Sequence, residues 1–290
     1  MHAQVERPLE LIFWPGSFGE RGFEAVLDAA QAGRFTAAAM SPLTIHELLS
    51  SGRDAAWLRA EATSRGTRLA QLDGATSWAP VRYSEDIPEP LKERFDFSDT
   101  QILDLAETAG MDSILAAGAF GRGAIPLDDL VASFAAFCDK AAERGIRVEL
   151  EFVPFWGIPD LPTAWDIVRR ADRPNGTLMI DSWHLFKGPD PQDALDLIPG
   201  IPGDKLTGFQ LADALIAPQS STLFGEAFLR RFPGDGELPL DQLTRLLLPK
   251  RSVVRVGAEI FGEAIDSLDA RTAGVRAAAT VAAALERAFA

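Results

Sequence analysis

Carboxylates interrupt apolar stretches of this chain where an unanswered charge would be expensive. Glu149 and Glu151 stand in Glu-Leu-Glu-Phe-Val, Asp181 ends Met-Ile-Asp-Ser-Trp, Gln210 and Asp213 lie in Phe-Gln-Leu-Ala-Asp, and Glu259 follows Gly-Ala. Burying a carboxylate unpaired costs on the order of several kcal/mol. Taken singly, each could be a cap or a salt-bridge partner. Taken together they suggest more, because donors at the ends of neighbouring strands lie about 4.8 Å apart and can converge on one point. Three carboxylates so close repel unless a cation joins them. Glu151, Asp181, Gln210 and Glu259 are therefore a candidate shell for one divalent ion. An all-oxygen shell suits Mn²⁺ or Mg²⁺ better than Zn²⁺ or copper.

Other residues gather around the same segments. His184 follows Asp181 by three positions, as a rim histidine making one hydrogen bond, or as a substrate donor or general acid beside the metal. Arg230 and Arg231 precede Pro233-Gly234-Asp235-Gly236, a turn sequence. They read either as a solvated basic pair or as a clamp on substrate oxygens. Trp14, Trp78, Trp156 and Trp183, with Phe155 and Phe186, fall at or just after expected strand ends. Core packing is the usual fate of tryptophan, but this clustering suggests an aromatic-walled pocket for a ring. There is no P-loop, no glycine-rich strand–helix turn and no Gly-x-Ser-x-Gly elbow, and Cys138 lies within an expected helix, so phosphate cradles and nucleophilic triads are poor readings.

The elements that must position these groups alternate in type. Apolar runs at 9–14, 35–40, 68–73, 113–117, 147–153, 177–181, 206–211 and 253–260 read as strands buried on both faces. Helical spacing fills 20–32, 44–64, 100–109, 127–144, 161–171, 191–197, 240–247 and 267–289. Thr44 and Glu47 have capping-box spacing, and Gly33, Gly66, Gly110 and Gly145 stand where helices should stop. Eight such alternations over 290 residues predict an α/β fold, a (β/α)8 TIM barrel forming a single domain over 1–290. An open doubly wound sheet would show a glycine-rich loop after its first strand; here that strand runs into Phe13-Trp14-Pro15-Gly16-Ser17. The stretches 74–98 and 212–239 are long for plain loops and are expected to build the binding site at the strands' C-terminal ends.

Composition narrows the partners. Hydrophobic residues make up 47% and charged residues 24% of the chain, which excludes a disordered polymer. A net charge of -14 disfavours nucleic acid and anionic membranes. One cysteine cannot form an internal disulfide, and no apolar run reaches the ~20 residues of a membrane span. The expectation is a cytoplasmic protein with a small-molecule substrate. The Ala-rich final helix is equally suited to covering the barrel or to pairing copies in a homo-oligomer.

The segments Arg147-Val148-Glu149-Leu150-Glu151-Phe152-Val153-Pro154, Asp181-Ser182-Trp183-His184, Phe209-Gln210-Leu211-Ala212-Asp213 and Arg230 with Pro233-Gly234-Asp235-Gly236 together resemble the xylose isomerase-like barrels. This is the sugar phosphate isomerase/epimerase group, related to endonuclease IV and to 3-dehydroshikimate dehydratases. The resemblance implies a divalent metal, Mn²⁺ foremost, with Mg²⁺ or Co²⁺ as alternatives. It implies Glu151, Asp181, Gln210 and Glu259 as ligands and Glu151 and Glu259 as the groups that move the proton. It also implies His184 and Arg230 as substrate contacts, with Arg231 the neighbour that could be mistaken for Arg230. Keto-sugar epimerases usually place histidine where this chain has Gln210; glutamine there is similar to the dehydratases. The endonuclease IV branch needs several histidines for its metals, and this chain has three in all, with His2 and His46 remote from the motifs.

The expected chemistry is abstraction of a proton beside a metal-polarised carbonyl, through a metal-bound enediolate. The leading reading is an isomerase or epimerase of a sugar or sugar-like hydroxy-ketone. The runner-up is a metal-dependent dehydratase of the 3-dehydroshikimate type, favoured by Gln210 and the aromatic residues. A non-catalytic barrel that binds without a metal is the third.

Overall fold

A computed structural model of the chain describes residues 9–80, 83, 87, 89–250 and 255–290. The strands form a closed, all-parallel barrel in chain order. They are β1 Glu10–Phe13, β2 Ala37–Met40, β3 Arg68–Ala75, β4 Ser113–Ala117, β5 Arg147–Glu151, β6 Gly176–Asp181, β7 Leu206–Leu211 and β8 Arg255–Ala258. The (β/α)8 expectation is met. Strand 147–153 ends earlier than expected, at Glu151, and Val253 and Val254 of the expected last strand lie outside the described residues.

Alternation sorts the strand residues. Phe13, Leu72, Ile114, Val148, Leu150, Leu178 and Ile180 face the outer helices, in the main core. Ile12, Trp14, Ala37, Ala39, Ala70, Leu115 and Met179 form a smaller core of their own, the interior of the cylinder. Small residues on β2 leave room there for the Trp14 indole, which also lies where a side chain on Gly257 would otherwise stand. A polar layer shares the interior. Trp14 Nε1 donates to Gln71 Oε1 at 2.6 Å, Gln71 Nε2 donates to Glu149, and Thr207 Oγ1 donates to Glu149 Oε1 at 2.6 Å. Glu149 is thus satisfied within the barrel.

The outer layer differs from expectation in two places. The stretch 44–64 is two helices, Pro42–Ser50 and Ala55–Ser64, because Gly52 takes a left-handed φ of 93° and Asp54 caps the second by accepting from Trp57 N–H at 2.7 Å. The first starts earlier than the Thr44 reading, with Ser41 as its cap and Pro42 in its first turn. The final helix, Ala270–Phe289, packs on the helix Phe23–Ala32 and completes the ring. Gly274 makes that contact possible: a Cβ there would stand 1.9 Å from the Ala29 carbonyl oxygen.

Both long connections carry short helices, Glu89–Phe95 after β3 and Leu223–Ala227 after β7. Among the described residues no helix is long and apolar enough to cross a membrane.

Candidate active site

Parallel register sets the candidate ligands side by side. Asp181 and Gln210 are direct partners across β6 and β7, and Glu151 is opposite Met179, two residues before Asp181. Glu259 follows β8, donates its N–H to Leu211 O at 3.1 Å and bridges to Trp14 after β1. Asp181 and Gln210 are fully buried, and Glu151 and Glu259 nearly so.

The Asp-x-x-His spacing has a geometric cause. Asp181 is the N-cap of the helix Ser182–Lys187, and its Oδ1 accepts from the His184 N–H at 2.8 Å. An N-cap side chain reaches the third helical N–H, so the bond that starts the helix also fixes His184 over the strand ends.

Arg230 reaches into the same place from the long connection after β7. Its Nη1 donates to Asp181 Oδ2 at 2.7 Å and to Glu259 Oε2 at 3.0 Å, and its Nη2 donates to His184 Nε2 at 3.1 Å. The guanidinium lies over the Trp183 and Phe261 rings, 5.0 and 4.9 Å from their centroids. A guanidinium has no acceptor, so His184 accepts at Nε2 and, when neutral, carries its proton on Nδ1. Burial, with Arg230 beside it and despite Asp181, pushes the His184 imidazole down to about 3, so the ring is neutral at ordinary pH.

The carboxylates divide by environment. Burial would raise Asp181, but Arg230, His184 and the cap bond outweigh it and hold its carboxyl below the usual range. Burial raises Glu151 well above that range, and the charges of Glu259, Asp181 and Asp73 add to it. Burial likewise raises Glu259, against the pull of Arg230. Arg230 alone cannot balance this much negative charge.

Part of the expected donor set, Glu151 and Asp181 with His184 beside them, is arranged as a divalent cation would need. Glu151 Oε1 and Gln210 Oε1 are buried with no hydrogen-bond partner; both are acceptors, and an acceptor left dry wants a cation or a donor. Gln210 keeps that oxygen free because its Nε2 donates to Glu259 Oε1 at 3.0 Å. Glu151, Asp181 and His184 can bring one ligand atom each within 4.8 Å of one another, a group that the expected ligand Glu259 does not join. His184 would have to give up the bond from Arg230 to use Nε2, whereas the Gln210 oxygen is available as it stands.

Glu151, His184, Arg230 and Glu259 line a cavity with Asp73, Arg94 and apolar walls; Asp181 and Gln210 lie behind this lining. Of the four tryptophans expected at the rim, Trp156 lines it. Trp14 is in the barrel interior, Trp183 lies beneath Arg230, and Trp78 is spent on Ala117 O, to which its Nε1 donates at 2.9 Å. Phe155 lines the cavity and Phe186 does not. The wall is a chain of edge-to-face rings, Phe95, Trp156, Phe155, Phe224, Phe228 and Phe261, with successive centroids 6.0, 5.4, 5.4, 5.4 and 6.0 Å apart. Arg231 points away from this cavity, donating to Asp235 O at 3.2 Å. Asp213 folds the loop, accepting from the N–H groups of Ala214, Gly234 and Leu238.

Sequence reading missed Asp73, Arg94 and four of the phenylalanines. Asp73 carried a signal, since it ended an expected strand; its carboxyl is raised by burial, against the opposing influence of Arg94 and Arg230. Arg94 and the phenylalanines lie in connections whose course no local periodicity announces.

Residues 28–285 match the xylose isomerase-like TIM barrel family. Two relatives are named 3-dehydroshikimate dehydratase. The Pseudomonas aeruginosa protein is 37% identical over 145 residues, which is 47% of this chain and 21% of that protein. The Pseudomonas putida protein is 31% identical over 169 residues, 55% of this chain and 25% of that protein. The matched stretch is thus a quarter or less of either relative's length. Among solved structures, the IOLI protein with a binding zinc atom is similar in fold, with a TM-score of 0.79 and 18% identity, covering 97% of this chain and 100% of that one. With the barrel closed in chain order and the family match running through nearly all of it, the chain belongs to the xylose isomerase-like TIM barrel family.

Proposed function

We propose that this chain is a divalent-metal-dependent lyase that removes water from 3-dehydroshikimate or a close cyclic hydroxy-keto acid. The observation that carries the reading is Gln210, placed beside Asp181 with its Oε1 buried and unpartnered, at the position where keto-sugar epimerases usually carry histidine. The two dehydratase relatives support it, and it displaces the isomerase that the sequence alone put first.

Glu151, Asp181, Gln210 and Glu259 would hold the ion, Mn²⁺ foremost; the zinc named with the similarly folded protein keeps Zn²⁺ in the set to be tried. When bound, a divalent cation draws electron density from a carbonyl and its neighbouring hydroxyl and so acidifies the C–H between them. Glu151 and Glu259, both facing the cavity, are the proton carriers. One takes the proton beside the carbonyl. The electron pair left behind forms a carbon–carbon double bond as the hydroxyl on the next carbon departs with its own pair. That hydroxyl leaves as water with a returned proton. The ring then loses a methylene proton while its carbonyl oxygen gains one, giving 3,4-dihydroxybenzoate without any oxidant. Arg230 holds Asp181, Glu259 and the neutral His184 in place, and the aromatic wall takes the ring faces and keeps bulk water out.

The test is to load the protein with Mn²⁺ and add 3-dehydroshikimate, following the ultraviolet absorbance of the aromatic acid. Its appearance, abolished by a chelator and restored by Mn²⁺, is the expected result. Two proton carriers would also serve an isomerase, so the assay is repeated in D₂O. Deuterium at carbon with no loss of water and no chromophore would overturn the lyase reading.

A further inference from the structure

We propose that Arg94 is a substrate carboxylate clamp, which makes this site selective for hydroxy-keto acids over neutral polyols; the inference rests on the lyase reading and names the part of the substrate that reading leaves unassigned. Among the described residues two arginines line the cavity. Arg230 is committed to Asp181, Glu259 and His184. Arg94 makes no hydrogen bond or ion pair among the described residues, and its one recorded electrostatic influence is a lowering of Asp73. Asp73, Glu151 and Glu259 share the cavity, in a chain of net charge -14. An anionic substrate would be repelled from such a place unless one cation were kept free to receive it.

The position suits that task. The ring chain that walls the cavity runs from Phe95 to Phe261 and draws on the connections after β3, β5, β7 and β8. Arg94 adjoins Phe95 at one end of it, and it also borders a second cleft lined by Glu20, Met40, Ser41 and Glu47. Arg94 thus borders both the ring-walled cavity and the cleft beside it. A six-membered ring whose ketone and hydroxyl face the strand ends points its far substituent outward. A carboxylate there meets a planar fork of donors that matches it in charge and geometry.

The probes are 3,4-dihydroxybenzoate and catechol, which share the adjacent hydroxyls and differ by the carboxylate. Binding of each to Mn²⁺-loaded protein is measured by calorimetry in wild type, Arg94→Gln and Arg94→Lys. Wild type is expected to prefer the carboxylate by about tenfold or more. Arg94→Gln should lose that preference while holding catechol unchanged, and Arg94→Lys should keep part of it. Thermal melting of the variants should stay close to wild type, because Arg94 makes no hydrogen bond or ion pair among the described residues. No preference in wild type, or an undiminished one in Arg94→Gln, overturns the clamp. The two readings fail separately: lost discrimination in Arg94→Gln upholds the clamp even if 3-dehydroshikimate is not consumed. Turnover with an unchanged KM in Arg94→Gln leaves the lyase and removes the clamp.

Discussion

Glu151 combines near-complete burial, a free oxygen and a carboxyl raised far from its usual range. Such a group serves chemistry at the expense of stability, and the two can be separated. Glu151→Gln keeps the shape and removes the charge. It should lower kcat by about a thousandfold, while the metal-free protein melts no lower than wild type, since a desolvated charge has gone. A carboxylate placed for structure would show the reverse. The pH dependence follows the same logic. In the unfolded chain a glutamate titrates near about 4.3, and in the fold Glu151 is higher, so the folded state prefers the protonated form. Stability contributed by this group is full below the unfolded value and is lost as pH rises through the folded one. Metal-free wild type should therefore melt lower as pH climbs above the carboxylate range, and Glu151→Gln should flatten that slope. Cys138 makes a contrasting case. Burial pushes its thiol up to about 12, so thiol reagents at neutral pH should leave the native protein unlabelled and react only once denaturant opens it. Labelling at the rate of a free thiol would show that the helix carrying it opens readily.

At the scale of elements, one close contact holds the ring of helices shut. Alanine in a helix normally gains up to about 1 kcal/mol over glycine. Gly274→Ala should instead destabilise by about 1–3 kcal/mol, because the added carbon would meet the Ala29 carbonyl; a higher melting temperature would show that the two helices separate easily. The strands were legible in the sequence because doubly buried strands are apolar throughout and their interruptions stand out. That is how Glu151, Asp181, Gln210 and Glu259 could be picked before their neighbours in space were known. His184 was legible through its fixed distance from a capping aspartate. The break at Gly52 was hidden by helical spacing on either side of it. The aromatic wall was assigned to tryptophans at strand ends, yet those of β1 and β6 turn inward to the barrel and to Arg230. The rings that replace them come from connections far apart in sequence, where contact depends on the path of each loop and not on any repeat.

At the scale of the molecule, a chain of net charge -14 concentrates several of its acids at one mouth and meets them from within by the buried Arg230. A cation of charge two is the partner this balance asks for. Binding only to the folded state, it should raise stability by about 2.7 kcal/mol at a hundred times its dissociation constant, seen as a melting temperature that climbs with Mn²⁺. The central claim is that Glu151, Asp181, Gln210 and Glu259 grip one ion, and the direct measurement is metal content. Protein is loaded with Mn²⁺, desalted and analysed for bound metal, with Glu151→Gln treated alongside. One ion per chain in wild type and markedly less in the variant is the expected result. No retained ion in wild type, or equal retention in both, would contradict it.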